Sequence, residues 1–461
     1  MKLEGPVEGG ERNRPFGAAV TDLASVGYRE DEYFLVGEAA TYGAAGNGDG
    51  GVEVTGAVPF RTRMLVRRPL DPARCNGTVV VYWNNVSAGY DIFNGESPEM
   101  LEGGYIFVAV SAQAVGVHGF AGAAQGLIAW DAARYGALSI PTDDASYDIF
   151  SQAARAVAPN RPRAGEVDPL GGLEVERIVA EGGSQSALRL HTYVEAVHPK
   201  ARVFDAFLIE VHPGHGAPLD TPGGYVLPRS ILDIGYGTHP AQPFSLDTGV
   251  PVMVVNSETE VVSFVPARRD DSDTFRLWEI AGTAHAGDAN RTWLPAKFAH
   301  DWGIEMPQLL SAGEDATNEL PVTPVQDAAL RHLHRWIGGG DAAPSLPRIE
   351  IAGDPPAIVR DEKGIAVGGL RIPQVEVPLG VPSGTNSMGA MNALAGSYRP
   401  FSVEELRAEY GDRATYLERF EKAARAGVDA GFLLERDAER FVRAASDESI
   451  GAFGPVEGNA R

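Results

Sequence analysis

The chain has 461 residues, 44% of them apolar and 22% charged, the balance of an ordinary globular protein rather than a disordered one. Its formal net charge of −23 sets it against nucleic acid, anionic membrane surfaces and polyanionic substrates. A single cysteine, Cys75, excludes an internal disulfide framework and any multi-cysteine metal site.

The opening MKLEGPVEGGERNRPFG carries no apolar targeting core, and no run approaches the length of a membrane span, so a cytoplasmic setting is expected. Residues 1–30 are rich in Gly, Pro and charge and are expected to be loosely held. Tyr33–Val36 and Phe60–Val66 read as early strands separated by AAGNGDGG. Gly46, Gly48 and Gly51 there match G-x-G-x-x-G, but a strand-like run follows. A dinucleotide site needs a helix N-terminus for the pyrophosphate, so that reading is rejected. A single calcium-repeat turn is equally weak, because such turns bind in tandem.

From Thr78 the chain alternates strands and helices. Apolar runs at Thr78–Trp83, Tyr105–Val110, Glu174–Val179, Val203–Leu208, Val250–Val255 and Phe275–Ile280 suit a parallel sheet covered on both faces. Helical patterns lie at Tyr147–Val157, at Ser186–Val197, and from Thr323-Pro324, as N-cap and first helical residue, to Gly338. The expected architecture is α/β, a doubly wound, mostly parallel sheet over residues 31–338. The irregular stretch 209–249 is expected to form a lid or pocket wall. Residues 339–461 follow as an extension: a linker, a hairpin and strand in AIVRDEKGIAVGGLRIPQVEVP, then helices. Ser402 and Glu405 make a capping box there, and a helix over Thr415–Ala426 is expected to end at Gly427.

The most informative stretch is VERIVAEGGSQSALRLHTYVEAV, where a β-branched run ends in Gly182-Gly183-Ser184-Gln185-Ser186 and an amphipathic helix begins at once. A serine pinched between small residues at a strand-to-helix junction is how a nucleophilic hydroxyl is held out in a strained turn. A hydroxyl needs a positioned imidazole to act at neutral pH. Of ten histidines, His285 alone follows a late strand, in a loop of small residues. His191 and His198 on the helix, and the pair His332 and His334, read as packing or surface groups. His212 and His215 have H-x-x-H spacing without the Glu and helix of a zinc site. The acid is sought after Val250–Val255, where Glu258 and Glu260 are both offered and Glu260 is preferred. Backbone donors for an oxyanion would come from Gln185, after the nucleophile, and from Asn85, with Val86 as its alternative. Trp83, Trp130 and Tyr135 are aromatic candidates for a substrate pocket, against the plainer reading of core residues.

The order Ser184, Glu260, His285, each at a strand end, resembles the α/β-hydrolase superfamily, and most closely a family of long bacterial serine hydrolases known as alpha/beta hydrolase domain proteins. The resemblance rests on RTRMLVRRPLDPARCNGTVVVYWNNVSAG, AWDAARYGALSIPTDDASYDIFSQ, GGSQSALRLHTYVEAVHP and WEIAGTAHAGD, and extends through GGLRIPQVEVP and GFLLERDAERFVRAA into the tail. It implies a Ser-acid-His triad, no cofactor and no metal. A family Gly-x-x-Asp after the penultimate strand would align with Ser257 and Glu260. Three departures stand out: Ser186 replaces the elbow glycine, glutamate replaces the commoner aspartate, and no His-Gly motif marks the oxyanion loop. The expected activity is that of a serine esterase, a carboxylesterase acting on a neutral, partly apolar small molecule through an acyl-enzyme. Amidase, lactonase, thioesterase, acyltransferase and non-catalytic binding readings stand as alternatives.

Overall fold

The structure is a computed structural model that describes residues 1–447 apart from 45–51, 162–166, 222, 235–239, 246–247, 308–309 and 314. The glycine-rich match at Gly46, Gly48 and Gly51 lies outside the described residues. Among these residues nine strands form one sheet: β1 (Lys2–Glu4), β2 (Tyr28–Ala44), β3 (Val52–Pro69), β4 (Thr78–Trp83), β5 (Ile106–Val110), β6 (Arg177–Gly183), β7 (Ala206–Glu210), β8 (Val252–Ser257) and β9 (Phe275–Ile280). Their order is β1-β2-β3-β5-β4-β6-β7-β8-β9. The strands β5-β4-β6-β7-β8-β9 are mutually parallel, and β1, β2 and β3 join antiparallel. The fold is α/β, built on a doubly wound, mostly parallel sheet. The swap of β4 and β5 creates the crevice beside β4 and β6, where the carboxyl ends of the strands diverge.

Strand parity divides the core in two. Val79, Val81, Trp83, Ile178, Ala180, Phe207, Ile209, Val252 and Val254 belong to one buried cluster with α1 (Ser146–Ala156) and α2 (Gln185–Thr192). Val80, Val179, Leu208, Met253, Val255 and Trp278 belong to another, which takes in α5 (Thr323–Ile337) and the tail residues Leu370, Tyr410, Tyr416 and Phe420. Each tail aromatic contributes about 1.5–3 kcal/mol by leaving water, so the tail is packed on the sheet rather than tethered to it. Leu370 continues the sheet beyond β9 through a parallel bridge to Ile280.

The first thirty residues are not loosely held. Phe16 is buried, and its carbonyl accepts from Arg63 at 2.7 Å; the Gly17 carbonyl accepts from Arg67 at 2.8 Å and from Lys297 at 3.1 Å. Composition suggested loose chain because these anchors are buried cations supplied from elsewhere in the sequence. Two local expectations also shift. Val322 is the N-cap of α5, so Thr323 and Pro324 are its first two residues. The helix expected to end at Gly427 runs through it, from Arg413 to Asp429. A Cβ at Gly427 would come within 2.7 Å of Leu433 Cδ1, so that glycine serves close packing.

Candidate active site

The β6 strand ends at Gly183 and α2 begins at Gln185, leaving Ser184 alone in the turn at φ 58°, ψ −117°. Positive φ in a non-glycine residue costs of order 1–3 kcal/mol and persists only where surroundings impose it. Here they do so in three ways. Ser184 N–H donates to the Glu210 carbonyl at 2.9 Å. Ser186 Oγ accepts from Gly183 N–H at 3.0 Å and donates to the Gly183 carbonyl at 2.9 Å. Asn85 Nδ2 donates to that same carbonyl at 3.1 Å. Gly182 packs closely beneath the elbow, since a Cβ would stand 3.0 Å from both Ser186 Oγ and Leu190 Cδ1. The serine at position 186 therefore fastens the elbow where a glycine would merely fit.

Two further side chains meet the Ser184 hydroxyl in line. His285 Nε2 lies 2.8 Å from Ser184 Oγ, and His285 Nδ1 lies 2.6 Å from Glu260 Oε1. The histidine loop is held by its own N–H donating to Thr259 Oγ1 at 2.9 Å. Glu260 is fixed by the start of α3 (Glu258–Phe264), where Ser257 and Glu260 form a capping box. Its Oε2 accepts from Ser257 N–H at 3.0 Å and from Ser257 Oγ at 2.6 Å, which leaves Oε1 for the imidazole. With Nδ1–H donated to the carboxylate, Nε2 carries the lone pair that faces the serine, the tautomer a general base requires.

Glu258 points elsewhere. Its Oε1 accepts from Arg360 at 2.7 Å and from Gly384 N–H at 3.0 Å, and its Oε2 accepts from Gly282 N–H at 2.7 Å. It ties the His285 loop to the tail. The S-x-x-E spacing of Ser257 and Glu260 is a capping-box signal that separates the two glutamates from sequence alone.

Of the five other expected site residues, Gln185 heads α2 directly after Ser184, and the remaining four fare differently. Asn85 lines the cavity, but its N–H donates to the Ile92 carbonyl at 3.1 Å, so that amide is already spent. Val86 N–H makes a longer bond, 3.3 Å, to Gln185 Oε1. None of the three aromatic candidates reaches the cavity. Trp83 is fully buried on the opposite face of β4, where its Nε1–H donates to Gln113 Oε1 at 3.1 Å, an oxygen that also accepts from Gln185 Nε2 at 3.0 Å. Trp130 donates to the Asp301 carbonyl at 2.8 Å and packs on Phe16. The Tyr135 hydroxyl donates to Glu32 at 2.8 Å and accepts from Phe16 N–H. On β4 the aromatic that faces the cavity is Tyr82, one residue before Trp83 and of opposite strand parity.

Ser184 and His285 open onto a cavity of about 1040 Å³, at the upper end of small-molecule sites. Its floor is the sheet face bearing Tyr82, Glu181, Leu208 and Glu210, and α5 walls it with Gln326, Asp327 and Leu330. The roof comes from the segment between β9 and α5, with Trp293, Leu294 and Phe298 on α4 (Trp293–Trp302), then Met306 and Leu310. Of the stretch 209–249, expected to form a lid or pocket wall, Glu210, Val211 and Ile231 line the cavity among the described residues. Its described histidines, His212 and His215, are buried: His212 Nε2 lies 2.8 Å from Nδ1 of His191 on α2, beside Phe244, and burial pushes the His191 imidazole down to about 3. No described helix is long and apolar enough to cross a membrane.

A family model described as "Alpha/beta hydrolase domain" matches residues 3–443. The chain belongs to this alpha/beta hydrolase domain family. The match takes in the tail, as the packing of Tyr416 and Phe420 on the sheet does. No curated protein matches the chain. Among solved structures, it is similar to an esterase, Est22, at 13% identity and TM-score 0.29 over 51% of this chain and 66% of that one. It is also similar to a structure from work on two prolyl endopeptidases, at 12% identity and TM-score 0.28 over 55% of this chain and 35% of that one. A prolyl oligopeptidase B from Galerina marginata gives 13% identity and TM-score 0.28 over 61% of this chain and 37% of that one. The family member thus spans about a third of the length of those peptidases and about two thirds of the esterase. At such scores the likenesses carry no argument about what it acts on.

Proposed function

We propose that this family member is a serine hydrolase that cleaves carboxylic esters through an acyl-enzyme, with Ser184 as nucleophile, His285 as general base and acid, and Glu260 as the orienting carboxylate. The observation that carries the reading is the unbroken chain Glu260–His285–Ser184 at 2.6 and 2.8 Å, opening onto a cavity. As Ser184 Oγ attacks the ester carbonyl, its proton passes to His285 Nε2, and Glu260 stabilises the imidazolium. The tetrahedral oxyanion is held by the N–H of Gln185, which heads α2 and donates to no acceptor among the described residues. A second donor comes from the loop after Asn85, since the Asn85 amide is spent on Ile92. Collapse expels the alcohol, which takes the proton back from His285. Water then repeats the cycle on the acyl-enzyme and releases the acid.

A fluorophosphonate probe tests the assignment directly. Wild-type protein is expected to label covalently, and Ser184→Ala to lose both labelling and ester turnover. Undiminished labelling of folded Ser184→Ala would move the nucleophile elsewhere. Esters turning over much faster than matched amides support the esterase reading; comparable rates would make the chain an amidase with the same machinery.

A further inference from the structure

The cavity beside Ser184 is chemically lopsided. Glu181, Glu210, Asp288, Glu305, Glu319 and Asp327 line it, and no lysine or arginine does so among the described residues. Two of these acids stand apart from every other buried carboxylate described so far. Glu32 is met by Arg63 and Arg134, and Glu279 by Arg268. Asp327 itself accepts from Glu99 N–H at 3.0 Å and lies 3.4 Å from Arg436. Glu210 is only 8% exposed, yet its carboxylate has no hydrogen bond or ion pair among the described residues. Glu181 is equally without a partner, and its Oε2 is fully enclosed.

The sheet register brings these two together. Glu181 lies opposite Leu208, and Gly183 opposite Glu210, so both glutamates project from the same face of neighbouring strands. Tyr82 lies opposite Glu181 on its other side, with the Phe107 ring 5.8 Å from the Tyr82 ring. Tyr82 and Phe107 also line the cavity, giving aromatic walls beside carboxylates. An uncompensated buried carboxylate is costly unless a cation comes to it, and an aromatic face adds attraction for that cation. Burial raises the proton affinity of both glutamates, reinforced at Glu181 by Glu210 and Asp327 and at Glu210 by Asp327. Among the described residues no three His, Cys, Asp or Glu side chains converge as metal ligands would. Two carboxylates beside aromatic rings suit an organic ammonium group better than a metal ion.

Resting on the hydrolase reading above, we infer that the substrate carries a protonated amine, which Glu181 and Glu210 receive over the Tyr82 and Phe107 rings while its ester carbonyl faces Ser184. An ammonium group supplies three N–H donors to acceptors that are otherwise unmatched. This departs from the neutral, partly apolar substrate expected from the sequence.

Two pairs of esters place the charge on either side of the scissile bond: phenyl ε-aminocaproate against phenyl heptanoate, and the ethanolamine against the propyl ester of benzoic acid. In at least one pair the ammonium member is expected to have a kcat/KM about tenfold or more higher, equivalent to about 1.4 kcal/mol. Glu210→Gln and Glu181→Gln should each bring that ratio close to unity. A neutral member that is equally fast or faster in both pairs overturns the inference, as does a preference that survives both substitutions. A thermal-shift titration with hexylammonium against hexanol reads the same site without turnover. Only the amine should stabilise the wild type, and Glu210→Gln should lose the effect; equal shifts from both compounds would sink the amine site. Fluorophosphonate labelling separates the two failures. Labelling without amine preference removes this inference alone, whereas absence of labelling removes the hydrolase reading with it.

Discussion

The two faces of the central sheet are built from the same apolar strands but do opposite work. On one face, Val79, Val81 and Trp83 of β4 continue into Ala180, Phe207 and Ile209 without a polar interruption, and α1 and α2 seal them from water. On the other, Val80, Val179 and Leu208 are equally dry at the base, but towards the carboxyl ends the same parity brings Tyr82, Glu181 and Glu210. There the sheet stops being a core and becomes the floor of a cavity. Packing alone would have filled that space with aliphatic side chains at lower cost. Two unmatched carboxylates held beside a strained serine place the molecule's stored cost where its chemistry is proposed to occur.

The largest effect should come from the rim, where the contrast between Glu260 and Glu258 can be broken by matched substitutions. Glu260→Gln keeps an acceptor for the Ser257 cap but faces His285 Nδ1 with the wrong partner. Its kcat is expected to fall by about four orders of magnitude, the scale for losing the correct tautomer in such triads. Glu258→Gln leaves the imidazole alone and removes the charge facing Arg360 and the fit to Gly282 N–H. Because the Arg360 side chain is 29% exposed, the cost is set below that of a fully buried pair, at about 2 kcal/mol, read as a lower Tm with kcat retained. A reversed pattern would transfer the acid role to Glu258.

A smaller change tests the sealed face. Trp83→Phe keeps the ring and deletes the N–H that Gln113 accepts. Stability should drop by about 1–2 kcal/mol, with KM across a series of acyl lengths unmoved. A chain-length-dependent rise in KM would return this side chain to the pocket.

Much of this was legible in the sequence, and what was hidden has a physical pattern. The runs Thr78–Trp83 and Phe275–Ile280 match β4 and β9 residue for residue, because a strand buried on both faces leaves an unbroken apolar trace. Ser184, Glu260 and His285 could be proposed because each follows such a run, and the fold sets His285 within hydrogen-bond distance of both others. For Trp83 the plainer reading of a core residue holds, because strand parity points its neighbour Tyr82 at the cavity instead. Arg63 and Arg67 look like solvent-facing charges in RTRMLVRR, yet both are buried because Glu32, Asp91 and Glu30 meet them from distant positions. Those same cations grip the carbonyls of Phe16 and Gly17, in a segment whose own composition gives no sign of being held. The contribution of α4 was hidden for a similar reason: nothing in its sequence marks Trp293, Leu294 and Phe298 as cavity residues, and only the fold brings them over the serine.

The smallest effect bears on the open face itself, and its sign is fixed by proton linkage. Burial, with the Asp327 charge behind it, pushes Glu210 up to about 8, from an ordinary glutamate value near 4.5. Between those values the unfolded chain has released the Glu210 proton while the folded protein retains it. Stability supplied by the neutral carboxyl is therefore fully present below about pH 4.5 and is lost as pH rises through about 8. Glu210→Gln removes the titration and leaves a neutral group of similar shape. The variant is expected to match wild type in Tm near pH 5 and to exceed it by a few degrees near pH 9. Glu181, raised well above its ordinary range by burial and by Glu210, should titrate more normally in that background. A Tm difference that is flat across this range would mean that Glu210 is already ionised and compensated in the folded protein, and the two faces would then differ in shape but not in stored charge.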